Sequence, residues 1–150
     1  MNASKRLKPI KRLADNKEKT AAQNLGKSIG QKQQQLEQLE QLLQYRAEYL
    51  SSMSSITTQG MSGDRLHQYY HFLKKLDSAI EQQKLVVEQS QANISECRNK
   101  WQLSNSRANA VDKAVKNLQA KEVKAIDKKE TTQVDEMSTQ NFLRNTKNNR

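Results

Sequence analysis

The chain has 150 residues, of which only 34% are hydrophobic, with one proline and four glycines. This composition excludes an ordinary globular core and favours long helices that have narrow apolar seams. There is no apolar run of about 18 residues to span a membrane, and the basic start, MNASKRLKPIKRL, lacks the apolar segment of a secretory signal. The single cysteine excludes an internal disulfide and fits a reducing compartment, so we expect a cytoplasmic protein.

The formal net charge of +10 is unevenly distributed along the chain. Residues 1–32 carry nine Lys and Arg against two acids, residues 33–97 carry five against eight, and residues 98–150 carry twelve against six. Both ends are therefore basic and the middle is mildly acidic, an asymmetry that becomes spatial once the chain folds.

A first helix is predicted over about residues 5–56. Its apolar residues recur at heptad spacing, which indicates a coiled-coil seam. The residues of this seam are Ile29, Leu36, Leu39, Leu43, Leu50 and Met53. Leu7, Ile10 and Ala14 are shifted by one residue from that phase, which suggests a stutter or a frayed start.

A loop is predicted at TTQGMSGD, residues 57–64, because two threonines and two glycines end a helix and Ser62 or Asp64 can cap the next one. A second helix is predicted over about 65–136, with two apolar rows that keep one heptad register for about sixty residues. The first row is Leu66, Leu73, Ile80, Val87, Ile94, Trp101, Ala108 and Val115. The second row is Tyr69, Leu76, Gln83, Ser90, Cys97, Ser104, Val111, Leu118 and Ala125.

A short loop between two long helices favours an antiparallel hairpin with arms of roughly 75 Å. The alternative is one continuous rod that dimerises in parallel. We therefore predict an all-α fold, a single antiparallel coiled coil over 1–140, with an overhang beyond about Lys116 and a disordered tail over 141–150. The basic ends would then meet at one pole, opposite an acidic loop. The predicted core residues are Leu36, Leu39, Leu43, Leu50, Leu73, Ile80, Val87, Ile94 and Trp101.

Five of the seven aromatic residues lie between 45 and 72, on both sides of the loop. Spacings of three and four residues define a further stripe on each helix, which is offset from the seam on the first helix and overlaps the seam on the second only at Leu76 and Gln83. These stripes are Gln38, Leu42, Tyr45 and Tyr49 on the first helix, and Phe72, Leu76, Ala79 and Gln83 on the second. A two-helix coil buries one stripe per helix, so the second should stay partly exposed. The rings either thicken a thin core near the turn or form a docking face, since aromatic side chains are enriched at interface hot spots.

No catalytic, metal or cofactor site is expected. His67 and His71 are four residues apart with Asp64 on the same face, but without further ligands nearby a solvated surface is favoured over a metal site. Cys97 and Trp101 fall on seam positions and are interpreted as core residues, although Trp101 could also dock a partner. There is no Gly-rich phosphate loop or nucleophile–base pair, and two helices offer no pocket for a reaction.

Several stretches have an order and spacing that are typical of one known family. They are QYRAEYL at 44–50 before a glycine-containing turn, FLKKLDSAIEQQ at 72–83, CRNKW at 97–101, Arg107, and the acidic pair at 135–136. Through these stretches the chain resembles the FliJ family of the bacterial flagellar type III export apparatus, over roughly residues 30–136.

The resemblance implies an antiparallel coiled coil similar to the stalk of the rotary ATPase gamma subunit, with its termini in the pore of the hexameric export ATPase. It also implies binding of the cytoplasmic domain of the export gate protein by the two stripes, and escort of empty export chaperones. The protein would be cytoplasmic and peripheral to the inner membrane, through these partners only. Residues 1–30 match the family poorly, and residues 109–130 have alanines and valines where the family tends to have leucines, so no pore contacts are assigned.

Other functions share some of these features. A charge of +10 would attract nucleic acid. Stacking proteins, however, place aromatic rings within a basic surface, whereas these rings lie near the acidic pole, so no nucleic-acid partner is expected. An injectisome-type stalk would share the fold, but AIEQQ and the context of Trp101 favour the flagellar branch. A chaperone arm or tether has no reason to concentrate aromatics outside the seam.

Overall fold

The computed structural model describes residues 2–148, which form two long helices and no strand. Helix α1 spans Ala3–Thr58 and helix α2 spans Gly63–Asn148. The contacts divide the chain into two units, and each helix contributes one segment to each of them. Unit 1 comprises Met1–Glu18 and Ser104–Arg150, and unit 2 comprises Lys19–Leu103.

The reversal between the helices lies in unit 2. Helix α1 ends where the Thr58 hydroxyl donates to a carbonyl one turn earlier and Gly60 adopts a φ of +90°, a left-handed conformation that favours glycine. Ser62 caps α2, since its hydroxyl oxygen accepts a hydrogen bond from the Arg65 N–H at 3.4 Å. The loop is therefore 59–62, two residues shorter at each end than the sequence predicts.

Within unit 2 the helices pack as an antiparallel hairpin, which confirms the predicted fold class. Gln83 Nε2 donates to Gln35 O at 2.9 Å, and nearer the turn Tyr69 OH donates to Tyr49 O at 3.0 Å. Residue numbers thus rise along α1 as they fall along α2. The α2 seam of this unit is buried or half-buried throughout: Leu66, Tyr69, Leu73, Leu76, Ile80, Gln83, Val87, Ser90, Ile94, Cys97 and Trp101.

The register of α1 differs from the predicted one. Ile29, Leu43 and Leu50, predicted to lie in the seam, are 48%, 44% and 37% exposed. Leu36 and Leu39 are half-buried. In unit 2 the positions of α1 that face α2 form two heptad rows, of which one contains the predicted seam residues Leu39 and Met53 and the other was not predicted. One row is Leu25, Lys32, Leu39, Arg46 and Met53, and the other is Ala21, Ser28, Gln35, Leu42 and Tyr49.

The prediction for α1 was wrong at Ile29, Leu43 and Leu50 because the observed seam contains long polar side chains. Lys32 and Arg46 pack their aliphatic stems in the seam, while their charged groups reach Gln91 and Asp77 of α2. A pattern of apolar residues alone passes over such positions. It selects instead the adjacent row of leucines, which has the cleaner heptad spacing.

The choice of the leucine row as the seam also explains why a stutter is predicted near the start of α1. Leu7 and Ala14, half-buried in unit 1, precede Tyr49 by multiples of seven residues. Leu7 and Ala14 therefore follow the same heptad register as Tyr49, and no stutter is needed to explain their positions. Ile10, predicted together with them, is 51% exposed.

In unit 1 the first turns of α1 pack antiparallel on α2. The hydroxyl and the N–H of Ser4 donate to the Glu122 carboxylate at 2.7 and 3.0 Å, and Lys11 Nζ lies 3.7 Å from Asp112 Oδ1. Glu122 thereby satisfies an amide at the positive end of the α1 dipole, and the bonds from Ser4 lower the pKa of this carboxyl. This contact fixes the residues that precede Pro9, whose missing N–H interrupts the hydrogen bonds of α1.

Helix α2 extends past its pairing with α1. Every described residue after Glu122 is exposed, so the overhang begins a few residues later than the predicted Lys116. The helix continues to Asn148, where the sequence predicts a disordered tail over 141–150; the last two residues of that range lie outside the described residues. The difference has a local cause, because no glycine or proline follows Gly63 to end the helix.

Candidate partner-binding surface

The eight residues predicted to bind a partner all lie in unit 2, along one edge of the hairpin. On each helix they occupy a seam position and the outer position next to it, so the antiparallel pairing sets the two stripes side by side. The contact between the rings of Tyr45 and Phe72, with centroids 6.3 Å apart, joins the stripes across the helices. We call these residues the aromatic face: Gln38, Leu42, Tyr45, Tyr49, Phe72, Leu76, Ala79 and Gln83.

Half of the aromatic face lies in the helix seam and is not available to a partner. Leu76 is 6% exposed, and Leu42 and Tyr49 are half-buried. Gln83 Nε2 donates to both Gln35 O and Gln35 Oε1, at 2.9 and 2.8 Å. The prediction of a second stripe outside the seam is corrected for Leu42 and Tyr49, because the observed register of α1 places them against α2. Leu76 and Gln83 lie at the seam positions where the sequence places them.

Tyr49 of α1 stacks on Tyr69 of α2. Their ring centroids are 4.3 Å apart and the ring planes differ by 3°. Tyr69 is 9% exposed, its hydroxyl donates to the Tyr49 carbonyl, and burial raises the pKa of this hydroxyl. Sequence reasoning put Tyr69 in the seam but missed the pair, because the pair requires Tyr49 to lie in the seam as well. For these two rings the interpretation as a thickened core is the right one.

The other half of the aromatic face is open to solvent. Tyr45 and Phe72 are 49% and 38% exposed, and Gln38 and Ala79 beside them are also exposed. Both exposed rings contact Tyr49, with centroid distances of 6.5 and 4.7 Å. These contacts with the buried stack restrict the motion of both rings, which would limit the entropy lost if a partner covered them.

The rings continue into an open groove towards the turn. Its volume is about 530 Å³, and its lining adds Ile56, Met61, Arg65 and Gln68 to the rings. Apolar side chains flanked by a guanidinium and an amide suit a side chain of a partner protein. Because the groove is open to solvent, it suits a contact with a protein better than a reaction from which water must be excluded.

Two polar bridges join the helices along the opposite edge of the hairpin in unit 2. Arg46 Nε donates to Asp77 Oδ1, and this ion pair raises the pKa of the Arg46 guanidinium. Lys32 Nζ donates to Gln91 Oε1. Each bridge joins a seam position of α1 to an outer position of α2. Ring contacts therefore join the helices along one edge, and exposed polar bridges, which contribute little to stability, join them along the other.

The remaining candidate residues form no site of their own. His67 and His71 are exposed, and no group of three or more His, Cys, Asp or Glu among residues 2–148 could hold a metal ion. Cys97 is half-buried, with Sγ 3.9 Å from Asn93 Oδ1, and Trp101 is half-buried in the seam. In the part of the chain that the structure describes, neither helix has a segment apolar enough to cross a membrane.

Comparison with known proteins identifies the family of this chain. The family described as "Flagellar FliJ protein" matches residues 4–147. The Flagellar FliJ protein of Salmonella typhi is 31% identical over 104 residues, which are 69% of this chain and 71% of that protein. The protein of the same description from Escherichia coli is 30% identical over 104 residues, with the same coverage. No solved structure matches the chain. The chain belongs to the FliJ family of flagellar proteins.

Proposed function

We propose that this chain, a flagellar export component by its family, is a stalk and adaptor of the export apparatus. It sits in the hexameric ring of the export ATPase, binds the cytoplasmic domain of the export gate protein, and escorts export chaperones. It is cytoplasmic and reaches the cytoplasmic face of the bacterial inner membrane only through these partners. The observation that carries the proposal is the exposed ring pair of Tyr45 and Phe72 on the aromatic face.

The aromatic face is assigned to the gate protein. Fully burying a large apolar side chain contributes about 1.5–3 kcal/mol, so a ring that is nearly half exposed can add on the order of 1 kcal/mol when a partner covers it. Ala79 is small and leaves space beside Phe72 for a partner side chain. Gln38 supplies an exposed amide that can donate and accept hydrogen bonds at the rim.

The contact with the ATPase ring is assigned to unit 1. Its residues include 16 Lys and Arg against 8 Asp and Glu, a net charge of +8. A groove of about 340 Å³ in this unit is lined by apolar side chains that include Ile10 and Leu13, with Lys17 and Arg107 among its lining residues. A basic surface that holds exposed apolar residues suits an acidic partner with apolar side chains of its own.

Binding to the purified cytoplasmic domain of the gate protein tests the aromatic face. Tyr45→Ala and Phe72→Ala should each weaken binding about tenfold, measured by titration calorimetry, because each removes a ring that the partner would bury. Tyr49 is left intact, since its loss would disturb the stack on Tyr69. The matched control is Tyr70→Ala: Tyr70 is 58% exposed and lies off the aromatic face. Equal losses for all three variants, or no loss for Tyr45→Ala and Phe72→Ala, would reject the assignment.

A further inference from the structure

The leucine row that has the clearest heptad spacing in α1 is left uncovered by the fold. Within unit 2, Ile29, Leu43 and Leu50 are between a third and a half exposed, and Leu36 is half-buried. The four residues are seven apart, so they form one stripe about 32 Å long at 1.5 Å per residue. A contiguous exposed aliphatic stripe is typical of an interaction surface. We call these four residues the aliphatic row.

We propose that the aliphatic row docks an amphipathic helix of a partner protein as a third strand of the coiled coil. We further propose that this helix carries Lys or Arg where it meets Glu37 and Glu40. Heptad spacing maintained over four positions is a pattern that a second helix can follow turn by turn, with its own apolar residues packing between those of the row.

The charge of the partner helix follows from the flanks of the row. Glu37 and Glu40 are exposed on the side of the row that faces away from α2, and no Lys or Arg occurs between residues 33 and 45. On the side towards α2, Lys32 and Arg46 already have partners on that helix. Opposite charges beside an apolar seam select the partner in coiled coils, so the uncompensated acids favour a basic helix.

A second copy of this chain fits the row poorly. If two rows packed antiparallel, the two-fold axis would lie near residue 40, and the Glu40 side chains of the two copies would face each other. A parallel arrangement would align Glu37 with Glu37 and Glu40 with Glu40. Like charges beside a coiled-coil seam disfavour pairing, so a partner of different sequence is the expected occupant.

The row is separate from the aromatic face, and the inference does not depend on the proposed function. Tyr45 lies nine residues after Leu36, which places it about 180° around α1 at 3.6 residues per turn. A helix on the aliphatic row would leave Tyr45 and Phe72 exposed. Two partners can therefore be held at the same time.

The test uses two designed peptides of four heptads, each with leucine at both seam positions. One peptide carries lysine and the other glutamate at the flanking positions, and both are titrated into the full chain by fluorescence anisotropy. Leu36→Ser together with Leu43→Ser should weaken binding of the lysine peptide at least tenfold and leave binding of the glutamate peptide unchanged. Leu85→Ser is the matched control, because Leu85 is 52% exposed on α2 outside the row and should have no effect on either peptide.

Charge reversal gives the second arm of the test. In a chain that carries Glu37→Lys and Glu40→Lys, the glutamate peptide rather than the lysine peptide should bind the row. In that background, Leu36→Ser with Leu43→Ser should weaken binding of the glutamate peptide and leave binding of the lysine peptide unchanged. Leu36 is half-buried and the other substituted positions are exposed, so all variants should retain the circular dichroism spectrum of the wild type. The inference is overturned if the serine variants bind the lysine peptide as the wild type does, or if Leu85→Ser causes the same loss. It is also overturned if light scattering shows a wild-type dimer that the serine variants convert to a monomer, because the occupant is then a second copy.

Discussion

Tyr69 supplies much of the core next to the turn of unit 2. Its ring stacks on Tyr49 and meets Tyr70 edge to face at 6.0 Å, and its hydroxyl satisfies a carbonyl of α1. Two helices can bury only a narrow stripe each, so a large ring in that stripe provides an unusual share of the apolar contact. The same ring fixes Tyr49, which in turn supports Tyr45 and Phe72 of the aromatic face.

Truncation of this ring should be costly. Tyr69→Ala is expected to lower the free energy of unfolding by about 3–5 kcal/mol, as for other buried aromatic residues. Tyr69→Phe keeps the stack but removes the hydrogen bond to Tyr49 O, and should cost about 1 kcal/mol. Urea unfolding followed by circular dichroism measures both. A loss for Tyr69→Ala no larger than that for the exposed Tyr45→Ala would show that the stack does not hold this end of the hairpin together.

Two carboxylates, Glu122 and Asp112, are expected to make the pairing in unit 1 sensitive to acid. Hydrogen bonds from Ser4 lower the pKa of Glu122, and the ammonium groups of Lys116 and Lys11 lower the pKa of Asp112. Carboxyls with a lowered pKa in the folded state stabilise it fully above their ordinary pKa, and this stabilisation is lost as the pH falls through the lowered values. The start of α1 should therefore loosen below about pH 4.

Hydrogen exchange can detect this loosening. Protection factors of the amides in residues 4–18, corrected for the intrinsic exchange rate, should fall between pH 6 and pH 3. Glu122→Gln should lower them already at pH 6 and flatten their dependence on pH, because the neutral amide is a weaker acceptor for Ser4. Protection that is independent of pH in the wild type would contradict a role for these carboxylates.

At the scale of the helices, α2 is the easier one to predict. Its seam is formed mainly by aliphatic and aromatic residues, so heptad spacing alone locates the seam. The same spacing also indicates the hairpin and the position of the turn. Helix α1 carries Lys32, Gln35 and Arg46 in its seam, and hydrogen bonds to α2 make these positions part of the core. Such bonds are formed only in the folded state, so no apolar pattern in the sequence reveals them.

The aromatic face could also be predicted only in part. Spacing identified the eight residues of the aromatic face, because helical stripes depend only on position along one helix. Which of the eight remain exposed depends on the register between the helices. Tyr45 and Phe72 could be expected to face solvent, whereas the burial of Leu42 and Tyr49 follows only from the observed pairing.

The two registers of α1 make opposite predictions for stability. In the observed register, Leu43→Ser and Leu50→Ser should each change the free energy of unfolding by less than about 1 kcal/mol, because these side chains already contact water. Leu76→Ala and Ile80→Ala, at positions 6% and 4% exposed, should each cost about 2–5 kcal/mol. Thermal or urea unfolding compares the four variants. If the serine variants were the more damaging pair, the predicted register rather than the observed one would be correct.

At the scale of the whole molecule, surfaces of different chemistry occur in separate parts of the chain. Unit 1 carries a net charge of +8, while unit 2 carries +2 together with the aromatic face and the aliphatic row. A basic surface favours fast, salt-dependent encounter with an acidic partner. Exposed rings and leucines favour contacts that exclude water. This separation suits an adaptor that holds several partners of one apparatus.

The measurement that tests the stalk and adaptor function most directly is ATP hydrolysis by the cognate flagellar export ATPase, with and without this chain, while light scattering counts the subunits. The account predicts stimulation and a hexamer that holds one copy of the chain. Lys17→Glu with Arg107→Glu, at the groove of unit 1, should abolish both effects, whereas Lys74→Glu with Lys75→Glu in unit 2 should preserve them. An ATPase shown to be competent that neither binds the chain nor responds to it would contradict the account.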